Sequence, residues 1–526
     1  MERKNTFDYI ILGAGPAGLQ LGFHFEQTGE DYKILEAGEQ AGTSFEKFPR
    51  HRTLISINKV HTGYDDKEVN LRWDWNSLLN DHDDFLFKDF DQDYFPHADS
   101  LVEYMNEYAK RYNLNIDYGQ RISSITREGE KGQFILTNEQ GEQYFCNKLV
   151  VATGFGKANQ PNIPGMELAD CYTEVSVDPK DFINQEVLII GKGNSAFETA
   201  DSLTPTASVI HVISPEVLQF AWETHYVGHL RAVNNNFLDT YQLKSQNALL
   251  DAFIEKIEIV DGKYHVSVDY LHANGEKEVL VYDRIINCTG FKFDNSIFDP
   301  SIKPEMCNMN KFPMQNNDWE STNVSDMYFA GTITHVRDFR KTTSGFIHGF
   351  RYNVKALSKI LKHKYKGAAI ESRNIDSDVE SIIENAMQRV NTSSALWQQF
   401  GFLCDVIDLD AGQEQAKYYD ELPMDYIREA YFKDSRHYLT VSLEFGKVVG
   451  NPFAIDRNPV PEKAKESVFL HPVFRQIVDG EVVGEFHLLE NLYGEWHDHE
   501  HHIQPLREYL TEALAVSKPS QVEAIA

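Results

Sequence analysis

Tyr9-Ile10-Ile11-Leu12-Gly13-Ala14-Gly15-Pro16-Ala17-Gly18 decides the reading of this chain. Four residues with the composition of a buried strand run straight into a glycine turn, and a helical pattern follows from Ala17 to about Thr28. A second apolar run, Tyr32-Lys33-Ile34-Leu35, ends at Glu36. Strand, glycine turn, helix, strand and acid in this order make a βαβ unit for a dinucleotide. Gly13 allows the tight turn, Gly15 lets the backbone approach a pyrophosphate, and Gly18 lets the helix pack close to the strand. The helix N-terminus, with Pro16 and Ala17, offers unpaired N–H groups and a positive dipole to phosphate. Glu36, followed by Ala37, stands where a carboxylate accepts from a ribose 2′-hydroxyl.

The whole 526-residue sequence is ordinary in composition, with 42% hydrophobic and 12% aromatic residues. Its net charge of −30 and the lack of a basic stripe argue against nucleic acid or an anionic membrane as partner. No apolar stretch approaches a bilayer span. The first core strand begins within about ten residues of Met1, which leaves no room for a signal peptide. The five cysteines are scattered and include no CxxC pair. A reducing, cytoplasmic location is expected, and a thioredoxin-reductase-like dithiol is excluded.

Further along, Lys148-Leu149-Val150-Val151 ends in Ala152-Thr153-Gly154, and Asp283-Arg284-Ile285-Ile286-Asn287-Cys288 ends in Thr289-Gly290. Between them, Glu186–Ile190 runs into Gly191-Lys192-Gly193-Asn194-Ser195-Ala196 and a helix through Ser202. This is a second nucleotide unit, inserted into the first. Met327–Ala330 ends in Gly331, and Ser344-Gly345-Phe346-Ile347-His348-Gly349 opens a helix able to face a flavin or its pyrophosphate. The expected fold is α/β, with two Rossmann-like domains and a mixed α+β C-terminal region. The expected boundaries are 1–165 and 300–365 for the outer domain, 166–299 for the inserted one and 366–526 for the rest. Within these, Ser100–Tyr112 is expected as a helix capped by Asp99 or Ser100. Asp376–Asn391, Ala395–Cys404 and Leu506–Ala515 are expected as helices, Leu54–Lys59 as strand-like, and the tail after Val516 as frayed.

With those motifs placed, the first 365 residues resemble the class B flavin-dependent monooxygenases. Almost the whole chain resembles the FAD-dependent oxidoreductase domain-containing group known from the endoplasmic reticulum. The closer likeness is carried by Pro49–Lys59, Asp74–Leu79, Thr224–Gly228, Asp239–Ser245 and Gly345–Tyr352. The resemblance implies FAD in the outer domain and NADPH or NADH in the inserted one. It implies oxygen insertion into a small organic molecule through a flavin C4a-hydroperoxide, with O₂ as co-substrate. A homo-oligomer is compatible with it. The fingerprint His ahead of the second glycine turn falls near Tyr172, and Ser214-Pro215-Glu216 replaces the Arg that many NADPH users place there.

In this chemistry the protein holds the rings together, excludes water and hydrogen-bonds the peroxide. Asn58 is the candidate for that hydrogen bond, the alternative being a turn asparagine. Asp74 is the second catalytic candidate, with a helix N-cap as its alternative. Phe45 and Arg50 join the candidate cofactor residues. His225 and His348 are candidates to flank the flavin, and Tyr226 and Trp222 to line an aromatic pocket, with core packing as the default. His497-Asp498-His499-Glu500-His501-His502 reads as a solvated loop before it reads as a metal site. Two other functions stay open: a flavin oxidase or dehydrogenase without oxygen insertion, and a flavoprotein fold used to bind another polypeptide.

Overall fold

A computed structural model describes residues 4–82, 84–243, 246–410, 415–448, 450–451 and 454–515. The last two residues of the Asp239–Ser245 run and the tail from Val516 lie outside the described residues. The chain is α/β, built on two mixed sheets of parallel cores and one antiparallel sheet. In the first sheet, Thr6–Leu12 pairs in parallel with Tyr32–Leu35 on one side and Gln143–Val151 on the other. Met327–Phe329 adds beside Gln143–Val151, and the hairpin Ile122–Arg127/Phe134–Asn138 continues from its other half. Ile10 and Ile11 are fully buried, which is why this strand reads as a continuous apolar run and not an alternating one.

The second sheet centres on Glu186–Ile190, flanked in parallel by Val209–Ser214 and Arg284–Asn287. Ala248–Val260, Lys263–Tyr270 and Lys277–Tyr282 extend it as an antiparallel meander. The chain crosses between the sheets twice, and the two crossings pair with each other as Lys157–Ala158 and Phe291–Lys292. Thr289 seals this junction by donating its hydroxyl to the Asn159 carbonyl at 3.0 Å.

Residues 373–515 form a six-stranded antiparallel sheet with helices Val379–Thr392 and Gln504–Ala515 on one face. Its other face is not free. Leu403, Val406 and Leu422 share one apolar core with Leu357, Ile360 and Leu361 of the long helix Ile347–Lys366. The sequence reading missed several strands here, among them Leu403–Asp408 and His471–Val478. The helix expected through Cys404 ends at Gln398, because Gly401 turns the chain at φ +65° into a strand. The helix expected from Ser100 starts at Ala98, and His97 caps it by accepting from the Asp99 N–H. Leu54–Lys59 is no strand but a run held by isolated bridges, Asn58 to Asp74 among them. His499–Ile503 is a helical turn capped by Asp498, so the alternating histidines share no strand face. Among the described residues, no helix is long and apolar enough to cross a membrane.

Candidate active site

Each glycine turn is shaped by close backbone approach. Gly13 has φ +108°, and a Cβ there would lie 2.9 Å from the Ala152 carbonyl oxygen. A Cβ on Gly18 would overlap the Gly13 carbonyl itself. Gly191 repeats the arrangement at φ +119°, with a Cβ 2.5 Å from the Cys288 carbonyl. The middle glycines differ. Gly15 and Gly193 are the N-caps of helices Pro16–Thr28 and Asn194–Leu203, and nothing lies within 4 Å of a Cβ at either. That open space, in front of two helix N-termini, fits a diphosphate at each turn. Glu36 is buried at the end of the second strand, where Ala14 and Gly38 donate N–H to its carboxylate at 2.7 and 2.8 Å. Ala37 follows it in the same turn, half-buried.

The two units converge on one cleft of about 410 Å³. Gly15, Pro16, Ala17, Phe45, Ala152, Thr153, Gly154, Gly331, Gly345 and Phe346 line it from the first unit, and Asn194 and Ser195 from the second. Gly13, Gly18, Gly191, Ala196, Thr289 and Gly290 shape the turns behind it. Asn194 fixes the overlying loop: its amide donates to the His229 carbonyl at 2.9 Å and its oxygen accepts from the Arg231 N–H at 3.0 Å. The walls are mostly aromatic and aliphatic, including Phe48, Leu54, Ile55, Trp75, Phe155 and Phe291.

Three of the expected site residues are engaged outside the cleft lining. Asn58 is buried and donates its amide to the Asp91 carbonyl at 2.7 Å, turned away from the cleft. Asp74 closes an internal turn, accepting from the N–H groups of Asn76 and Ser77 at 3.0 and 2.9 Å and from the Ser77 hydroxyl. Arg50 clasps the inserted domain, donating to the Thr173 and Val175 carbonyls at 2.9 and 2.6 Å. The first two are tied together: Asn58 pairs with Asp74 in an isolated bridge, and Asp74 stands one residue before the lining residue Trp75. Trp222 is half exposed, His225 packs on Phe445 at 4.6 Å, and Tyr226 stacks on His335 at 5.4 Å beside the cleft.

Four other side chains supply the cleft's polar groups. Tyr172 donates its hydroxyl to Glu198, and burial pushes the Glu198 carboxyl up to about 7 despite that bond. His348 is 1% exposed and packed between Trp75 at 4.1 Å and Phe346 at 5.7 Å. Burial, helped by Arg351 and Arg231, holds its imidazole well below the usual range, so it is neutral. Neither of its ring nitrogens has a hydrogen-bond partner. Arg231 reaches in from the inserted domain. Nothing local in the sequence marks Arg231 or Glu198, because the groups they meet come from distant segments. Glu198 does lie on the second turn of a helix whose N-terminus was read as a nucleotide site.

The sequence matches the pyridine nucleotide-disulphide oxidoreductase family over residues 10–331. It is 36% identical to FAD-dependent oxidoreductase domain-containing protein 2 of Mus musculus, over 96% of this chain and 84% of that one. Among solved structures, the bacillithiol disulfide reductase of Staphylococcus aureus aligns at TM-score 0.52 and 19% identity, over 69% of this chain and 100% of its own. A flavin-containing monooxygenase from Stenotrophomonas maltophilia aligns at TM-score 0.52 and 17% identity, over the same shares, 69% and 100%. These two likenesses concern the fold.

Proposed function

This chain belongs to the pyridine nucleotide-disulphide oxidoreductase family, and we propose that within it the protein is an FAD-dependent, NAD(P)H-using monooxygenase of a small organic molecule. That it is a flavin-dependent oxidoreductase using FAD and a pyridine nucleotide follows from the family. The finer reading is carried by the lining of the cleft: apolar walls, few polar groups, and none of the five cysteines. A cleft without a thiol has no dithiol of its own to receive electrons, which supports O₂ or a small acceptor over an internal disulfide.

When bound, FAD accepts hydride from the nicotinamide and passes electrons to O₂. The chain's own part is placement and exclusion. Gly15 and Gly193 leave room for the two diphosphates, and the helix N-termini behind them donate N–H groups. Phe45, Phe48, Phe291 and Phe346 keep water from the rings. Tyr172 and Glu198 set a titratable pair where the nicotinamide unit meets the flavin unit.

The proposal includes weak discrimination between NADH and NADPH. At the end of strand Val209–Ser214, Lys192 already donates to Asp251 and to the Ser214 and Glu216 carbonyls, and Arg340 lies 3.9 Å from the Glu216 carboxylate. Both cations are therefore engaged before any 2′-phosphate arrives. A preference beyond about a hundredfold, about 2.7 kcal/mol, contradicts this part.

Oxygen-18 gas tests the main reading: label must enter the organic product in proportion to NAD(P)H consumed. One observation favours a second reading, an oxidase. The Asn194 amide gives both its N–H groups to the Gly228 and His229 carbonyls, and the Asn58 amide gives one to the Asp91 carbonyl and lies outside the cleft lining, so neither is aimed at a reduced oxygen species there. Stoichiometric release of H₂O₂ with unlabelled product would establish the oxidase instead.

A further inference from the structure

Arg231 is half-buried and lines the cleft without a carboxylate partner; Arg72, which donates to the Val390 carbonyl at 3.0 Å and lies over Trp397, also lacks one but stands outside the cleft. Arg127, Arg337, Arg389 and Arg475 each pair with a carboxylate, and Arg351 donates to three carbonyls. Arg231 donates one guanidinium N–H, to the Ile55 carbonyl at 2.9 Å, and lays its plane over Trp75 at 5.2 Å. Among the described residues no carboxylate pairs with it. A guanidinium has five donors in a flat fork, so most of its capacity faces the cleft it lines.

His348 lies on the other side of Trp75. A neutral imidazole carries one donor and one acceptor, and leaving both buried without partners is unfavourable. Both nitrogens here are unpartnered in a side chain 1% exposed, and the ring lines the same cleft. The indole N–H of Trp75 is taken by the Arg72 carbonyl at 3.2 Å, so Trp75 acts as the apolar spacer between Arg231 and His348. One wall of the cleft thus presents a cation without a counter-ion and a neutral donor–acceptor ring.

We propose that Arg231 and His348, set on either side of Trp75, form a subsite for an organic carboxylate, so that the substrate is an organic acid. The inference rests on the reading of this cleft as the flavin site and specifies what is oxidised there. The guanidinium fork matches a carboxylate in two parallel hydrogen bonds. His348 adds a hydrogen bond to the acid's polar edge, and Trp75, packed between the two, holds them in place. The same cation chemistry would recognise the diphosphate of NAD(P)H, and the experiment separates the two sources.

The test uses the FAD-loaded full chain. Benzoate, benzamide and benzyl alcohol are titrated while flavin absorbance is read, and the KM for NADH is measured in parallel. Benzoate is expected to perturb the flavin saturably and to bind at least tenfold more tightly than either neutral analogue. Arg231→Met should weaken benzoate by about ten- to hundredfold, the loss of a charged hydrogen bond. Arg231→Lys should recover part of it, and both variants should keep the wild-type KM for NADH. His348→Ala should weaken benzoate less than Arg231→Met does. Equal binding of benzoate and benzamide by the wild type overturns the proposal without any variant. So does an Arg231→Met protein that binds benzoate normally but has a raised KM for NADH, which would assign Arg231 to the cofactor. A wild-type protein that holds no FAD, or whose FAD is not reduced by NADH, overturns the underlying reading, and that result is visible before any benzoate is added.

Discussion

Replacing Glu198 by Gln is expected to flatten two pH profiles at once. Burial raises this carboxyl from an ordinary 4.5 to about 7, against the opposing effects of the Tyr172 hydroxyl and the Arg50 charge. A tenfold change in proton affinity is worth about 1.4 kcal/mol, so the difference amounts to about 3 kcal/mol. The sign follows from which state holds the proton more tightly. The folded protein binds it at pH values where the unfolded chain has already lost it, so stability falls as pH rises. Glu198's contribution is fully present below about pH 4.5 and is lost as pH climbs to about 7. Above that the folded state carries a buried anion. Glutamine keeps the shape and never ionises. Glu198→Gln should match the wild type near pH 4 and exceed it by about 3 kcal/mol near pH 8, measured by urea denaturation of the holoprotein.

The second profile is flavin reduction by NADH, followed by stopped flow. Glu198 lines the cleft beside Ser195, so its charge should place an inflection near pH 7 in the wild-type rate, and Gln should remove it. Tyr172→Phe supplies a control of direction. The Tyr172 hydroxyl donates to the carboxylate and favours its charged form, so losing it should move the inflection upward. An unchanged inflection in Glu198→Gln, or a downward move in Tyr172→Phe, would refute the reasoning.

The other predictions follow from open or filled space. Gly15→Val puts a side chain into the space left for the first diphosphate, and the purified protein should lose its bound FAD, read as the absorbance ratio of flavin to protein. Gly193→Val does the same at the second turn: FAD should stay, and reduction by NADH should fall by at least about tenfold, the effect of about 1.4 kcal/mol. Arg351→Met should cost about 3–5 kcal/mol of stability, because Leu71, Asp74 and Ser77 would each keep a buried carbonyl without its donor. Urea denaturation reads that loss directly, and a change under about 1 kcal/mol would contradict it.

The sequence was legible where geometry is set within a few residues. Gly13–Glu36 and Gly191–Ala196 announce their turns because each glycine answers a local steric demand. Asn58 stands out in the sequence through the family resemblance and the strand-like run Leu54–Lys59 around it, but its partners are not legible there. The bridge to Asp74 and the carbonyl of Asp91 turn it inward, and neither partner is close in sequence. The Ala395–Cys404 run failed for another reason: Leu396, Phe402, Leu403 and Cys404 are all buried, so periodicity could not separate helix from strand. Gly401 carried the break. Arg231 and Glu198 had no local signal, because burial and missing partners are properties of the assembled cleft.

The same distinction explains the C-terminal region, to which the sequence assigned no role. The two solved flavoproteins align with 69% of this chain and with the whole of their own, so part of this chain has no counterpart in them. Here residues 390–399 grip the loop that leads into Phe346 and His348. Gln399 donates to the Ser344 hydroxyl and the Asn353 amide oxygen at 3.0 and 2.7 Å, and Thr343 donates to the Gln398 carbonyl at 2.5 Å. On the Trp75 side, Arg72 donates to the Val390 carbonyl at 3.0 Å, and Ser394 donates its N–H to Glu68 at 2.8 Å. Both halves of the wall that faces Arg231 are therefore held from behind by the same short segment. Removing this region would expose the apolar face of helix Ile347–Lys366 and release the His348 and Trp75 loops together. A wall fixed in this way can keep a neutral histidine buried without partners, because the surrounding packing leaves the ring no alternative position.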